Sequence, residues 1–285
     1  MNENLSSQLQ KYLDLSDEER IFFIQKDKWI DYPEANKILT KIEDIYKAPK
    51  SIRSRGMLLY GDSNNGKTAI LKRFYRKFSK DEYLDEDGDL IHLMPIVYVI
   101  AEASSDESVM FTEILSSMNV PVNHKEKVTK KKEEAVYYLN LMQTKLIIID
   151  EIQNVLHGPH NKMAQLITSL KTLNNKTGIP IILAGTQDAM SAISIDNQTK
   201  SRFKPYELPL WNNDENFLRF VATIEAMLPL KKASNIYKNY ELLTYIHGLS
   251  NGCIGEVINI LKDAAIYAIR TKTERISKKE IKESL

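Results

Sequence analysis

Apolar residues recur along this chain in two alternating rhythms. Short unbroken runs at 57–60, 95–100, 146–149 and 179–184 are rich in Ile, Val and Leu. Strands covered on both faces read this way. Between them the apolar positions fall three and four apart, as in Ile70, Leu71, Phe74 and Phe78, in Val109, Met110, Ile114 and Leu115, and in Met163, Leu166, Ile167 and Leu170. That spacing lines one face of a helix. It predicts helices after the first strand, over about 105–118 and 160–174, and another that ends near Met142. Ahead of the first strand, Ser16 and Glu19 form a capping box that opens a helix over about 16–26. Pro33 suits the first turn of a second helix, with Ile38, Leu39, Ile42 and Ile45 on one face and Pro49 as its stop. A last strand is expected at 206–208. The acidic stretch 81–93 reads as a solvated loop.

Alternating strands and helices predict an α/β fold, a three-layer parallel sheet covered on both sides. After Pro209 the strand pattern stops. Helices follow over about 213–228, 235–247, 255–269 and 277–284, the last opening on the capping box Ser277 and Glu280. The expected organisation is an N-terminal helical segment over 1–30, an α/β domain over 31–209 and an all-helical lid domain over 210–285.

Composition narrows the class. The chain has 285 residues, 43% hydrophobic and 27% charged, as in ordinary globular proteins. Its net charge of +1 means that any nucleic-acid site must come from local clustering. The single Cys253 excludes a disulfide framework within one chain and a cysteine-based zinc site. The polar N-terminus has no basic-then-apolar signal pattern, and no apolar run approaches a membrane span. A cytoplasmic protein without a membrane partner is expected.

Residues 57–68 read Met-Leu-Leu-Tyr-Gly-Asp-Ser-Asn-Asn-Gly-Lys-Thr, a strand running into G-x-x-x-x-G-K-T. Glycines let the backbone turn sharply, so successive N–H groups of Gly61, Asp62, Ser63, Asn64, Asn65 and Gly66 can point at one anion. The helix that opens at Gly66–Lys67 adds the positive end of its dipole. Lys67 is expected to reach the outer phosphates of ATP, and the Thr68 hydroxyl to hold Mg²⁺.

Asp150 and Glu151 end the strand at 146–149. Ligands of open parallel sheets bind beyond the carboxyl ends of the strands, so this acid pair arrives where the phosphate loop already is. Asp150 is expected to hold Mg²⁺ through water, and Glu151 to orient and polarise the attacking water. Such a pair argues for hydrolysis, because water is a poor nucleophile until it is positioned. Thr186 follows the next strand, near the γ-phosphate, with Gln187 as a rival and a helix N-cap as the plainer role. Arg202, just before the last strand, points away from its own loop. It is useful as a charge-stabilising finger in a neighbour's site. Lys200 and Lys204 are the alternatives. Lys125, Lys127, Lys130, Lys131 and Lys132 are the densest basic cluster. They either touch DNA phosphates or form a solvated face among Glu126, Glu133 and Glu134, and composition favours the solvated face. His157 and His160 have no partners at metal spacing and read as loop residues.

With these residues in place, the chain resembles AAA+ ATPases. More closely, it is similar to the TniB/TnsC group of transposition regulators, themselves similar to the initiator and helicase-loader branch. The matches are Trp29-Ile30-x-Tyr32-Pro33-x-Ala35, the loop 61–68, Leu146 to Asn154, Ile179 to Ala189, and Ser201-Arg202-Phe203. The resemblance implies a P-loop NTPase of AAA+ architecture that assembles as a ring, spiral or filament of identical subunits with nucleotide between them. It implies ATP-dependent binding of double-stranded DNA and a link between a transposase and a target-selection protein, which in some systems is a CRISPR effector. It implies that Tyr32 covers the adenine. A helicase loader or initiator, a nucleotide-dependent regulatory module without useful turnover, and a P-loop kinase are the alternatives. The Asp-Glu pair and the helical lid speak against the kinase. The stretch 248–256 lacks the arginine that many AAA+ lids place against the γ-phosphate.

Overall fold

The computed structural model describes residues 10–51, 54–78, 81–84, 90–157, 159–193 and 197–285. From the amino end come α1 (Asp17–Gln25), α2 (Pro33–Lys47), β1 (Gly56–Tyr60), α3 (Lys67–Phe78), β2 (Asp81–Leu84), β3 (Leu90–Leu93) and β4 (Ile96–Ile100). Then follow α4 (Glu107–Ser117), α5 (Val128–Leu141), β5 (Leu146–Asp150), α6 (His160–Thr177), β6 (Ile181–Gly185), α7 (Gln187–Ile193), α8 (Asn197–Arg202) and β7 (Phe203–Glu207). The rest is helical: α9 (Glu215–Ala226), α10 (Tyr240–Ser250), α11 (Ile254–Arg270) and α12 (Lys278–Ser284).

The chain divides into two compact units. The first holds Pro33–Ser63 and Lys67–Leu208. Its five-stranded sheet runs β4-β5-β6-β1-β7, and each neighbouring pair of strands is parallel. β5 and β6 are buried along their whole length, which explains their unbroken aliphatic runs. Leu58, Val97, Ile147, Ile149, Leu183 and Phe203 share the core with Phe111, Ile114, Leu115 and Leu170 from the helices. Because every strand runs the same way, β1, β5 and β6 deliver their carboxyl ends to one side: Tyr60 lies opposite Gly185, and Ile149 opposite Leu183.

Two expectations change. The stretch 81–93 is not a plain loop, since β2 pairs antiparallel with β3, Asp81 opposite Leu93. Tyr83 and Ile91 are strand formers among the acids, a preference that the charge count concealed. Residues 85–89 and the polar start 1–9 lie outside the described residues. The last strand is Phe203–Glu207 rather than 206–208. Pro205 hides it, because a residue without an N–H is tolerated in a strand only at an edge, and β7 is the edge.

The second unit gathers the segment up to Tyr32, Asn64–Gly66 and Pro209–Leu285. Among the described residues, those from 10 to 32 group with the C-terminal helices. The tie is Arg20 on α1. It is fully buried, and its guanidinium grips Glu274 with two bonds of 2.8 and 2.7 Å, while reaching Pro229 O at 3.0 Å and Asp17 at 2.9 Å. Burial pushes the Glu274 carboxyl up, but Arg20 and the Lys231 N–H outweigh it, so the group ionises below its ordinary range. A depressed carboxylate contributes stability above its unfolded value, and that stability is lost as pH falls through the folded one. Removing one partner of a buried pair strands the other charge. Arg20→Ala is expected to cost the helical unit about 3–5 kcal/mol, read from the midpoint of denaturant unfolding. An unmoved midpoint would show the pair to be idle.

Candidate functional site

Within the sheet unit the loop after β1 keeps a shape that only glycine permits at its first position. Gly61 has φ +159°, and a Cβ there would lie 2.5 Å from Leu208 O. Lys67, at the start of α3, is 7% exposed, and its ammonium donates to the carbonyls of Gly61 (3.0 Å) and Asp62 (2.7 Å). The loop thus folds around its own lysine, and that one side chain supplies the positive charge at the first turn of α3.

The loop's middle residues, Asn64–Gly66, group with the helical unit. Gly66 sits at φ +92°, a conformation that side chains rarely adopt. The Gly255 N–H donates to Asn64 O at 3.0 Å, and the Asn64 side-chain amide donates to Glu256 at 2.7 Å. The stretch 248–256, without an arginine, instead presents a carboxylate that holds Asn64.

At the end of β5, Asp150 is 1% exposed and accepts three hydrogen bonds. The Thr68 hydroxyl donates to Oδ2 at 2.7 Å, the Tyr98 hydroxyl to the same oxygen at 2.6 Å, and the Glu151 N–H to Oδ1 at 2.9 Å. Burial first, and then the bond to Asp150, pushes the Tyr98 phenol well above its ordinary range, so it stays a donor. Glu151 is held at φ +57°, a left-handed conformation that is costly for a side chain of this kind. Its carboxylate accepts the Gln153 side-chain amide. The turn that follows is tied to the sheet by Asn154, which donates to Ala101 O at 2.9 Å.

Thr186, one residue beyond β6, keeps its hydroxyl buried without a hydrogen-bond partner, as Gln153 does its Oε1. The hydroxyl makes no capping bond at the start of α7 and is left for other use. Gln187 is exposed.

Two sequence expectations, for Tyr32 and for the basic cluster, meet a different environment. Tyr32 is 6% exposed, and its ring packs against Trp211 (5.2 Å) and Phe220 (5.9 Å) in the helical unit. It is a packing residue there, because an aromatic ring gains more from burial than from exposure. The basic cluster is partly spent. Lys131 is 2% exposed and donates to Ser108 and Thr112, each at 2.9 Å, which removes it from any DNA-facing surface. Lys132 pairs with Glu107 at 2.9 Å, while Lys125, Lys127 and Lys130 are exposed, the last in a surface pair with Glu126. Arg202 stands at the amino end of β7, level with Gly56 rather than with Tyr60 and the loop, and its fork binds Asn174 and Asn175.

Sequence reasoning missed Tyr98 and Gln153. A lone phenol in the aliphatic run Ile96-Val97-Tyr98-Val99-Ile100 was the available signal for the first. Among the described residues no group of three or more His, Cys, Asp or Glu could hold a metal ion. Thr68 and Asp150 instead offer the sparse oxygen set that suits Mg²⁺ carried in with phosphates.

A lysine-bearing loop after β1 and an acid pair ending β5, set in one parallel sheet, define a P-loop protein of AAA+ architecture. Solved structures share the fold. Cdc6p from Pyrobaculum aerophilum superposes with a TM-score of 0.67 at 15% identity, over 95% of this chain and 70% of that one. The Aeropyrum pernix ORC2 protein, solved as ADPNP-ADP complexes, gives 0.62 at 15% identity over 92% and 70%. The Aeropyrum pernix ORC1 protein in complex with DNA gives 0.56 at 14% identity over 93% and 68%. The chain belongs to the TniB family, whose model, described as Bacterial TniB protein, matches residues 20–213. Among curated proteins, none matches the sequence. No helix among the described residues is long and apolar enough to cross a membrane.

Proposed function

We propose that this chain is an ATP-dependent, DNA-bound regulator of transposition. With ATP it assembles with further copies of itself on duplex target DNA, and it links a target-selection protein to the transposase. Hydrolysis then dissolves the assembly. The observation that carries the nucleotide chemistry is the Thr68–Asp150 contact of 2.7 Å, one residue after the loop lysine. Family membership carries the link to transposition. ORC2 solved with nucleotides and ORC1 solved with DNA are relatives in fold that agree with both halves.

In this reading the loop N–H groups and Lys67 bind the phosphates, and Lys67 turns from the Gly61 and Asp62 carbonyls toward them. Thr68 keeps its proton on Asp150, which leaves its lone pairs for Mg²⁺. Mg²⁺, when bound there, would supply charge neutralisation to the phosphates. Glu151 orients the attacking water and draws on its proton. The orphaned Thr186 hydroxyl donates to the γ-phosphate or to that water. Arg202 leaves Asn174 and Asn175 and enters the site of the next subunit, where its fork meets two phosphate oxygens. Lys125, Lys127 and Lys130 are the exposed members of the basic cluster that remain for DNA phosphates.

Sedimentation and electron microscopy with a duplex and a slowly hydrolysed ATP analogue test the scheme. Assemblies are expected only when both are present. Assembly that ignores nucleotide would sink it. Replacing Lys125 and Lys127 by Ala is expected to flatten the salt dependence of DNA affinity, by about one unit of slope for each phosphate that no longer meets a lysine. An initiator or helicase-loader role is the second reading, favoured by the fold relatives. Capture of a replicative helicase rather than a transposase would select it.

A further inference from the structure

The residues that ring Asp150 come from three elements, and one of them has no part in the proposed ATPase cycle. Tyr98 lies on β4, where it pairs in register with Ile148, two residues before Ile100 meets Asp150. Side chains two residues apart stand on one face of a strand. The phenol therefore leans along its strand and across to the neighbouring one, a diagonal that a long side chain can span. Its ring packs on Tyr75 of α3 at 5.5 Å, on the same helix that carries Thr68. Its hydroxyl reaches Asp150 Oδ2 at 2.6 Å, on the oxygen that Thr68 also occupies.

The bond geometry constrains the carboxylate. One oxygen takes two hydroxyl donors and the other takes the Glu151 N–H. Rotation of the carboxylate would break bonds on both oxygens. Without the phenol, Oδ2 would be held by Thr68 alone, and Thr68 is the very group that must also face an ion. A ligand fixed by outer partners needs no ordering when the ion arrives.

We propose that Tyr98 is a positioning residue that fixes the Asp150 carboxylate for a divalent cation entering with nucleotide. The proposal rests on the ATPase reading. Tyr98 does not touch the phosphates. It acts through Asp150.

The test uses the full chain and its Tyr98→Phe variant, with a fluorescent ADP as probe. Binding is measured in EDTA and then along a Mg²⁺ titration, with thermal melting as a control. The variant keeps the ring on Tyr75, so its melting and its binding in EDTA are expected to match wild type. Its Mg²⁺ midpoint is expected to rise about 10–100-fold, the loss typical of an outer-shell partner. A midpoint that stays put or falls overturns the role of Tyr98 while leaving the ATPase reading intact. Loss of binding in EDTA together with early melting makes Tyr98 merely structural and also overturns it. Wild-type binding that ignores Mg²⁺ throughout also overturns the role of Tyr98, whereas a wild-type chain that binds no nucleotide with or without Mg²⁺ removes the ATPase reading itself.

Discussion

Lys67→Ala is expected to lose nucleotide binding and, with it, any nucleotide-driven assembly. The ammonium is buried inside the loop, with Gly61 and Asp62 carbonyls as its near neighbours. A unit charge about 4 Å from a phosphate, at the effective dielectric of a protein site, contributes about 4 kcal/mol, or about a thousandfold in affinity. The same truncation leaves two carbonyls without their donor, about 1–3 kcal/mol in stability. These effects separate. Melting should fall by about 2–12 °C, at about 2–4 °C per kcal/mol, while titration with a fluorescent ATP analogue should show no saturation. A folded Lys67→Ala that still binds at wild-type strength would mean that the loop does not hold phosphate.

Much of the fold and site is legible in the sequence, and particular residues show why. β5 and β6 are buried on both faces, so burial and aliphatic composition carry the same message and the strands announce themselves. The loop 61–68 is local chemistry, fixed by spacing within eight residues, so Gly61, Gly66, Lys67 and Thr68 can be found without tertiary knowledge. Contacts between distant elements are another matter. Nothing at position 98 says that its hydroxyl meets Asp150, because that depends on the pairing register of β4 with β5. Lys131 looks like its basic neighbours in sequence, but α5 turns it inward onto two hydroxyls of α4. Tyr32 reads as an adenine cover, yet its ring is enclosed by Trp211 and Phe220, whose positions the local sequence does not reveal. Charge clusters and isolated aromatics are read poorly from sequence for one reason: which face they take is decided by packing elsewhere.

Glu151→Gln is the second change of large expected effect. The substitution keeps shape and hydrogen-bonding reach, so the side chain can still meet Gln153, and the backbone N–H still caps Asp150. It removes the one function an amide cannot perform, which is to take a proton from water. Nucleotide binding should persist while hydrolysis falls about 10²–10⁴-fold, the usual worth of a positioned base. Single-turnover hydrolysis beside a binding titration reads both quantities. Wild-type turnover by Glu151→Gln would pass the role to another group, with the orphaned Thr186 hydroxyl next in line. The backbone adds an independent check. Holding a glutamate at φ +57° costs roughly 1–2 kcal/mol that a glycine would escape, offset by the glycine's greater flexibility when unfolded. Glu151→Gly should therefore melt no earlier than wild type yet turn over no better than Glu151→Gln. Such a pair of results would mean that the strained glutamate is retained for its chemistry. Early melting of Glu151→Gly would instead make the side chain a structural member of the turn.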